Sequence, residues 1–397
     1  MDTRLFTCKR DELIIRGMEY LPEDFQENKR YPVMIVSHGF LGNCESVADL
    51  CKEFARMGYV SFGFNFCDGG NGSEQQCPKS DGKSTDMSIS TEVADLSVVI
   101  DFVKEQSYVD KENLMLAGVS QGGFVSGLTA ARYGEQIKKL IMIYPALCIP
   151  DDARRGKLAG ADYDPENVPE VIQCGTLLGR KYHEDVVGRD PFLELSAYQG
   201  PVLILHGLED DIVNYSYSVR AREYYKKGQC HLQLIRDMGH ALNGEQLDSA
   251  LASVGQFLKG REEILTIRVI ITHEETFLEG ESEKKNVFFT GYCDTEYFQG
   301  TIQPGGCDTQ ECHPEMGCRM RAEYSLAGLD CQGQSCTIHI VNQKSGEEWK
   351  PIVRTDSPAL KWMNHADLTA VLEYGKGGPT VRIFAPGRKI TVEKMNI

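Results

Sequence analysis

No stretch of this 397-residue chain approaches the roughly 18 consecutive apolar residues that a membrane-spanning helix needs. The opening residues, MDTRLFTCKRDELIIRG, lack the apolar core of a secretory leader, so a cytoplasmic location is expected. A Lys/Arg-rich block is missing too. The chain sets 42 basic residues against 58 acidic ones, for a formal charge of -16. Binding to nucleic acid or to an anionic membrane needs clustered cations to neutralise phosphates, so neither partner is expected. The 14 cysteines lack the paired C-x2-C knuckles of a zinc site. Cys307, Cys312, His313 and Cys318 offer four ligands only at C-x4-C-H-x4-C spacing. Without a leader the expectation is reduced thiols, with no metal and no cofactor.

What is present is ordinary globular composition, 41% hydrophobic and 25% charged, at a length that suits two domains. The first two-thirds alternate short β-branched runs with amphipathic stretches, the pattern of a doubly wound α/β sheet. Runs at 33–37, 60–66, 114–118, 140–144, 201–205 and 232–235 read as strands, and residues 1–21 as an antiparallel hairpin leading in. SVADLCKEFARMG and ISTEVADLSVVIDFVKEQ repeat apolar residues at helical spacing and read as crossover helices. Residues 146–200 are too long for one crossover and are rich in Pro, Gly and Asp, so they read as an inserted cap. Near residue 262 the helical period gives way to β-runs between Gly-rich turns. This divides the chain into a catalytic domain at 1–262 and an all-β, barrel-like or sandwich domain at 263–397. The only tryptophans, Trp349 and Trp362, fall in that second part and are expected in its core or lining a pocket.

Gly118-Val119-Ser120-Gln121-Gly122 lies between strand LMLA and helix GFVSGLTAARYG. A serine there sits in a strained strand-to-helix turn, with flanking glycines admitting backbone where a Cβ would clash. The partners follow in the order Ser, Asp, His. Strand PVLIL runs into His206-Gly207-Leu208-Glu209-Asp210-Asp211-Ile212-Val213, where the H-G-x-x-D-x-x-V phase selects Asp210, with Asp211 as runner-up. His240 stands on the loop after the next strand, whereas His231 opens that strand. Two backbone N–H groups would receive a developing oxyanion: that of Gln121, after the serine, and that of Phe40, in the His38-Gly39-Phe40 loop. His38 itself is read as structural. Such a set transfers acyl groups through a covalent serine intermediate and requires no metal.

From about residue 13 to 258 the sequence resembles the bacterial cinnamoyl/feruloyl esterases of the α/β-hydrolase fold. The shared pieces are H-G-F at His38, G-x-S-Q-G-G at Ser120, the acidic turn at Asp210, G-H at His240, and M-S-I-S-T-E-V-A-D-L. The resemblance implies a serine esterase acting on hydroxycinnamoyl (feruloyl, coumaroyl, caffeoyl) esters, with a small aromatic ester as its partner. It also implies that an Asp and a Tyr of the cap bind the phenolic hydroxyl, which places Asp152 and Tyr182 at those positions. The family's G-H-G-x-S loop is present only in distorted form at residues 68–73. A short-chain carboxylesterase, a serine aminopeptidase-like hydrolase of the same fold or a scaffold led by the β-domain stand as alternatives, and a homo-oligomer is left open. From residue 287 the chain resembles an uncharacterised family of small β-barrel domains, through G-T-I-Q-P-G-G-C-D, R-A-E-Y-S-L, T-D-S-P and W-M-N. That resemblance implies a fold and no activity.

Overall fold

The computed structural model describes residues 1–67, 76–241, 244–279, 282–313, 317–345, 348–375 and 378–387. The distorted loop at 68–73 lies outside the described residues. The chain resolves into two compact units, Met1–Ala241 and Leu242–Ile397.

The first unit is built on an eight-stranded sheet. Hairpin β1 (Thr3–Arg10) and β2 (Leu13–Tyr20) leads in, followed by β3 (Tyr31–Ser37), β4 (Val60–Phe64), β5 (Val109–Val119) and β6 (Lys139–Ile143). The cap adds two short hairpins, β7 (Lys157–Leu158) with β8 (Ala161–Asp162), and β9 (Val171–Gln173) with β10 (Leu177–Gly179). The sheet then finishes with β11 (Val202–Gly207) and β12 (Cys230–Ile235), in spatial order β1-β2-β4-β3-β5-β6-β11-β12. All pairings from β4 to β12 are parallel, and only β1 and β2 run against their neighbours. This is the α/β-hydrolase fold. In β3 every residue but Pro32 is buried, which explains why a central parallel strand reads as an unbroken apolar run.

The crossovers are α1 (Ala48–Arg56), α2 (Ile89–Lys104), α3 (Gln121–Tyr133) and, after the cap, α7 (Ser216–Tyr224). Helix α2 starts where its sequence provides a capping box: Ser88 Oγ accepts from the Thr91 N–H while Thr91 Oγ1 accepts from the Ser88 N–H. The cap carries α4 (Ile149–Arg154), α5 (Arg180–Val186) and α6 (Pro191–Leu195). Its Ile149, Leu158, Leu178, Tyr182 and Phe192 are buried in the same apolar cluster as β3 and β5, so the insertion is part of the core.

The second unit opens with α8 (Gly244–Leu258) and continues in strands β13 (Arg261–Glu279), β14 (Ser282–Asp294), β15 (Phe298–Ile302), β16 (Cys307–His313), β17 (Gly317–Asp330), β18 (Ser335–Ser345), β19 (Glu348–Thr355), β20 (Thr369–Glu373) and β21 (Thr380–Pro386). Strand β13 pairs with both β21 and β14, so the antiparallel sheet closes on itself around Leu265, Ile267, Leu326, Ile338, Ile340 and Ile383. Closure removes the exposed strand edges that an open sheet would present. The composition changes at residue 262, but the compact units divide after Ala241. Helix α8 packs with β13 and β20, and Thr369 Oγ1 donates to Gln256 Oε1 at 2.8 Å.

One sequence expectation is corrected here. The thiols are not all reduced, because Cys312 and Cys318 form a disulfide. They stand directly opposite each other on the β16–β17 hairpin with Cα atoms 4.0 Å apart, which is close enough for cross-linking and removes both sulfurs from any metal site. Among the described residues no cluster of His, Cys, Asp or Glu could hold a metal ion, and no helix is long and apolar enough to cross a membrane.

Candidate active site

Strand β5 ends at Val119 and α3 begins at Gln121, leaving Ser120 alone to turn the chain. It does so at φ 53°, ψ -122°, a conformation that L-residues rarely adopt. Backbone bonds hold it there: Ser120 N–H donates to Ile143 O at 2.9 Å, and Ser120 O accepts from the N–H groups of Gly123 and Ala146 at 3.0 Å and of Phe124 at 3.3 Å. The glycines of the motif are explained by contact. A Cβ at Gly118 would lie 2.2 Å from Gly122 O, and one at Gly122 would lie 2.2 Å from His38 O. Any other residue would push α3 off the sheet and misdirect the serine.

His240 Nε2 lies 2.8 Å from Ser120 Oγ, and His240 Nδ1 lies 2.8 Å from Asp210 Oδ2. Asp210 Oδ1 accepts from the N–H groups of Ile212 (3.0 Å) and Val213 (2.8 Å). Burial works to raise the Asp210 pKa, but hydrogen bonds from His206, His240 and Val213 outweigh it and hold the carboxyl well below its usual range. Asp211, the alternative acid, is exposed. The ring of Tyr144 lies against that of His240 with centroids 4.5 Å apart, on a residue that itself has φ 36°.

The His38-Gly39-Phe40 loop touches the nucleophile, since a Cβ at Gly39 would come within 3.0 Å of Ser120 Cβ. His38 is buried, with Nδ1 2.8 Å from Gly39 O and Nε2 accepting from Phe66 N–H at 3.3 Å. That geometry makes it a neutral brace for the loop. Phe40 is half-buried against the main core. As the first residue of α3, Gln121 has an N–H with no acceptor inside the helix, beside the positive end of the helix dipole.

In the cap, Asp151 and Asp152 are neighbours with different surroundings. Asp151 accepts from Arg154 Nη2 (2.6 Å) and Tyr217 OH (2.9 Å), which lower its pKa against the effect of burial. Asp152 is half-buried, and burial keeps its carboxyl above the ordinary range although the Cys148 thiol bonds to it. Tyr182 is 2% exposed and its hydroxyl donates to Gln121 Oε1 at 2.6 Å, while Gln121 Nε2 donates to Glu92 Oε1 at 2.7 Å. The structure thus brings Ser120, His240 and Asp210 into one line and ties Tyr182 to the residue after the nucleophile.

Three residues at the site were not singled out in the sequence. His206 opens the acidic-turn motif but served there only as a frame for Asp210. Tyr144 ends β6 with no motif around it. Glu92 sits inside the M-S-I-S-T-E-V-A-D-L run, whose helical period signals an apolar face and says nothing of a carboxylate turned inward.

Comparison with known proteins points to the same fold. Residues 28–167 match the family model described as serine aminopeptidase, S33. Among solved structures, Est1E from Butyrivibrio proteoclasticus with ferulic acid bound is 28% identical, covering 64% of this chain and 98% of its own, with a TM-score of 0.58. A second structure of Est1E is 25% identical over 64% of this chain and 97% of its own, with a TM-score of 0.55. The α/β hydrolase GrgF from Penicillium sp. sh18 shares the fold at 16% identity and a TM-score of 0.53, covering 65% of this chain and 98% of its own. No curated protein matches the sequence.

Proposed function

We propose that this serine hydrolase of the α/β-hydrolase fold cleaves carboxylic esters, with hydroxycinnamoyl esters as its substrate class. The observation that carries the reading is the unbroken line from Ser120 Oγ through His240 to Asp210, with both links at 2.8 Å. Ser120 Oγ attacks the ester carbonyl while His240 Nε2 takes its proton, and Asp210 holds the imidazole with Nδ1 protonated. The N–H groups of Gln121 and Phe40 receive the oxyanion. His240 then protonates the departing alcohol, and water releases the acid from the acyl-enzyme by the same steps.

The substrate class rests on the likeness to the Est1E structure with ferulic acid bound, together with the half-buried carboxyl of Asp152 on α4. Burial raises the Asp152 pKa against the opposing pull of the Cys148 thiol, Arg155 and Lys157, which suits its carboxyl to bond a ring hydroxyl. A serine aminopeptidase is the second reading, favoured by the family model that matches residues 28–167. An activity panel of methyl ferulate, chlorogenate, p-nitrophenyl butyrate and an aminoacyl anilide decides between them, with Ser120→Ala as the control. The proposal expects the highest kcat/KM on ferulate or chlorogenate, and a preference for the anilide would replace it with the peptidase.

A further inference from the structure

One buried side-chain network that the mechanism leaves unused is Tyr182–Gln121–Glu92, drawn from α5, α3 and α2. Each of the three residues is 2% exposed. A carboxylate oxygen accepts and an amide nitrogen donates, so Glu92 selects the carboxamide orientation with Nε2 towards itself. Oε1 is thereby turned to the Tyr182 hydroxyl, which donates to it. Gln121 follows a residue whose backbone is far from helical, and no earlier turn of helix steadies it. Ser120 O, on the same peptide plane, accepts from the N–H groups of Gly123, Phe124 and Ala146, and the side-chain partners of Gln121 add a second hold from the other side of its Cα. We propose that Tyr182 and Glu92 are positioning residues for acyl transfer: by clamping the Gln121 carboxamide they fix the direction of the Gln121 N–H that receives the oxyanion.

This rests on the serine-hydrolase reading above and changes the part played by Tyr182. Its hydroxyl proton is spent on Gln121, so it acts on every ester alike, whereas recognition of a ring hydroxyl would act only on esters that carry one. Mispointing a donor costs less than deleting it, and deletion costs about 10²–10³ in kcat, so a loss of about tenfold is expected.

The test uses the full chain and a fluorophosphonate probe. Ser120 Oγ forms the new P–O bond, fluoride leaves, the serine proton passes to His240, and the phosphoryl oxygen occupies the oxyanion position. Tyr182→Phe and Glu92→Ala are expected to slow labelling about tenfold. They should lower kcat on methyl ferulate, methyl cinnamate and p-nitrophenyl acetate by the same factor with KM unchanged. Glu92→Gln keeps an oxygen that can accept from Gln121 Nε2, and should stay within about threefold of the parent protein. Circular dichroism checks folding, and if Tyr182→Phe fails it, the two Glu92 variants decide alone. Folded variants that label at the parent rate overturn the proposal. A loss confined to esters with a ring hydroxyl also overturns it and assigns Tyr182 to the substrate. A parent protein that resists labelling removes the serine-hydrolase reading itself, and the proposal with it.

Discussion

His206 Nε2 lies 3.3 Å from Asp210 Oδ2, the same oxygen that bonds His240 Nδ1 at 2.8 Å. His206 is completely buried, its Nε2 also 2.9 Å from Val213 O and its Nδ1 2.6 Å from Ser218 Oγ. The carboxylate is therefore held on both oxygens before any substrate arrives. Two N–H groups of its own turn take one oxygen, and two imidazoles take the other.

Removing that brace should cost both stability and rate. His206→Leu leaves Ser218 Oγ without its buried partner and Asp210 with one imidazole fewer. The expected losses are about 1.5–3 kcal/mol of stability, typical for a hydrogen bond to a charged group, and about tenfold in kcat. Thermal melts and p-nitrophenyl acetate kinetics measure the two, and a variant unchanged in both would show His206 to be a space-filler.

The lowered Asp210 pKa sets the sign of an acid effect. A carboxyl whose folded-state pKa lies below its unfolded value contributes stability that is complete above the unfolded value, about 3.9, and is lost as pH falls through the lowered one. Urea midpoints of the parent protein should thus fall more steeply between about pH 5 and pH 2 than those of Asp210→Asn. Parallel curves would contradict this. The same variant should lose about 10⁴ in kcat at neutral pH, because its amide orients the wrong imidazole tautomer.

Asp152 should govern choice of substrate and leave the chemistry alone. Asp152→Ala is expected to lower kcat/KM for p-coumarate esters by about 10²-fold or more, within the roughly 10⁴–10⁵ by which a site built for a substrate hydroxyl rejects the analogue lacking it. Cinnamate esters and p-nitrophenyl acetate should hardly change. Equal losses on all three would make Asp152 a structural residue of α4, paired with Cys148.

Every member of the triad lies within Met1–Ala241, so ester hydrolysis should survive loss of the β-barrel. Residues 1–262 expressed alone are expected to be soluble and to keep kcat on p-nitrophenyl acetate within about tenfold, or roughly 1.4 kcal/mol in the barrier. Truncation strips α8 of β13 and β20, so some loss of stability is expected as well. A truncated protein that is well folded yet inert would show that the second unit completes the active site.

Local chemistry accounts for what the sequence determined by itself. Short apolar runs mark the strands; the structure extends β12 by two residues and more than doubles β5, whose added residues 110–113 are not buried. The elbow was legible because a strained turn needs small residues at fixed offsets, and Gly118 and Gly122 meet backbone at 2.2 Å. The phase of the acidic turn likewise singled out Asp210, whose carboxylate closes on the N–H groups of its own next residues. What only the tertiary structure decided are the pairings between distant segments. The resemblance puts Tyr182 at a substrate's ring hydroxyl, and in the fold its hydroxyl donates to Gln121, 61 residues away. Helix α8 reads as the close of the first domain and packs on strands that follow it. Cys312 and Cys318 were expected as thiols and meet because one hairpin register sets them face to face. Period and turn chemistry are written residue by residue. A contact between two helices depends on how the whole sheet places them, and no short window of sequence contains that.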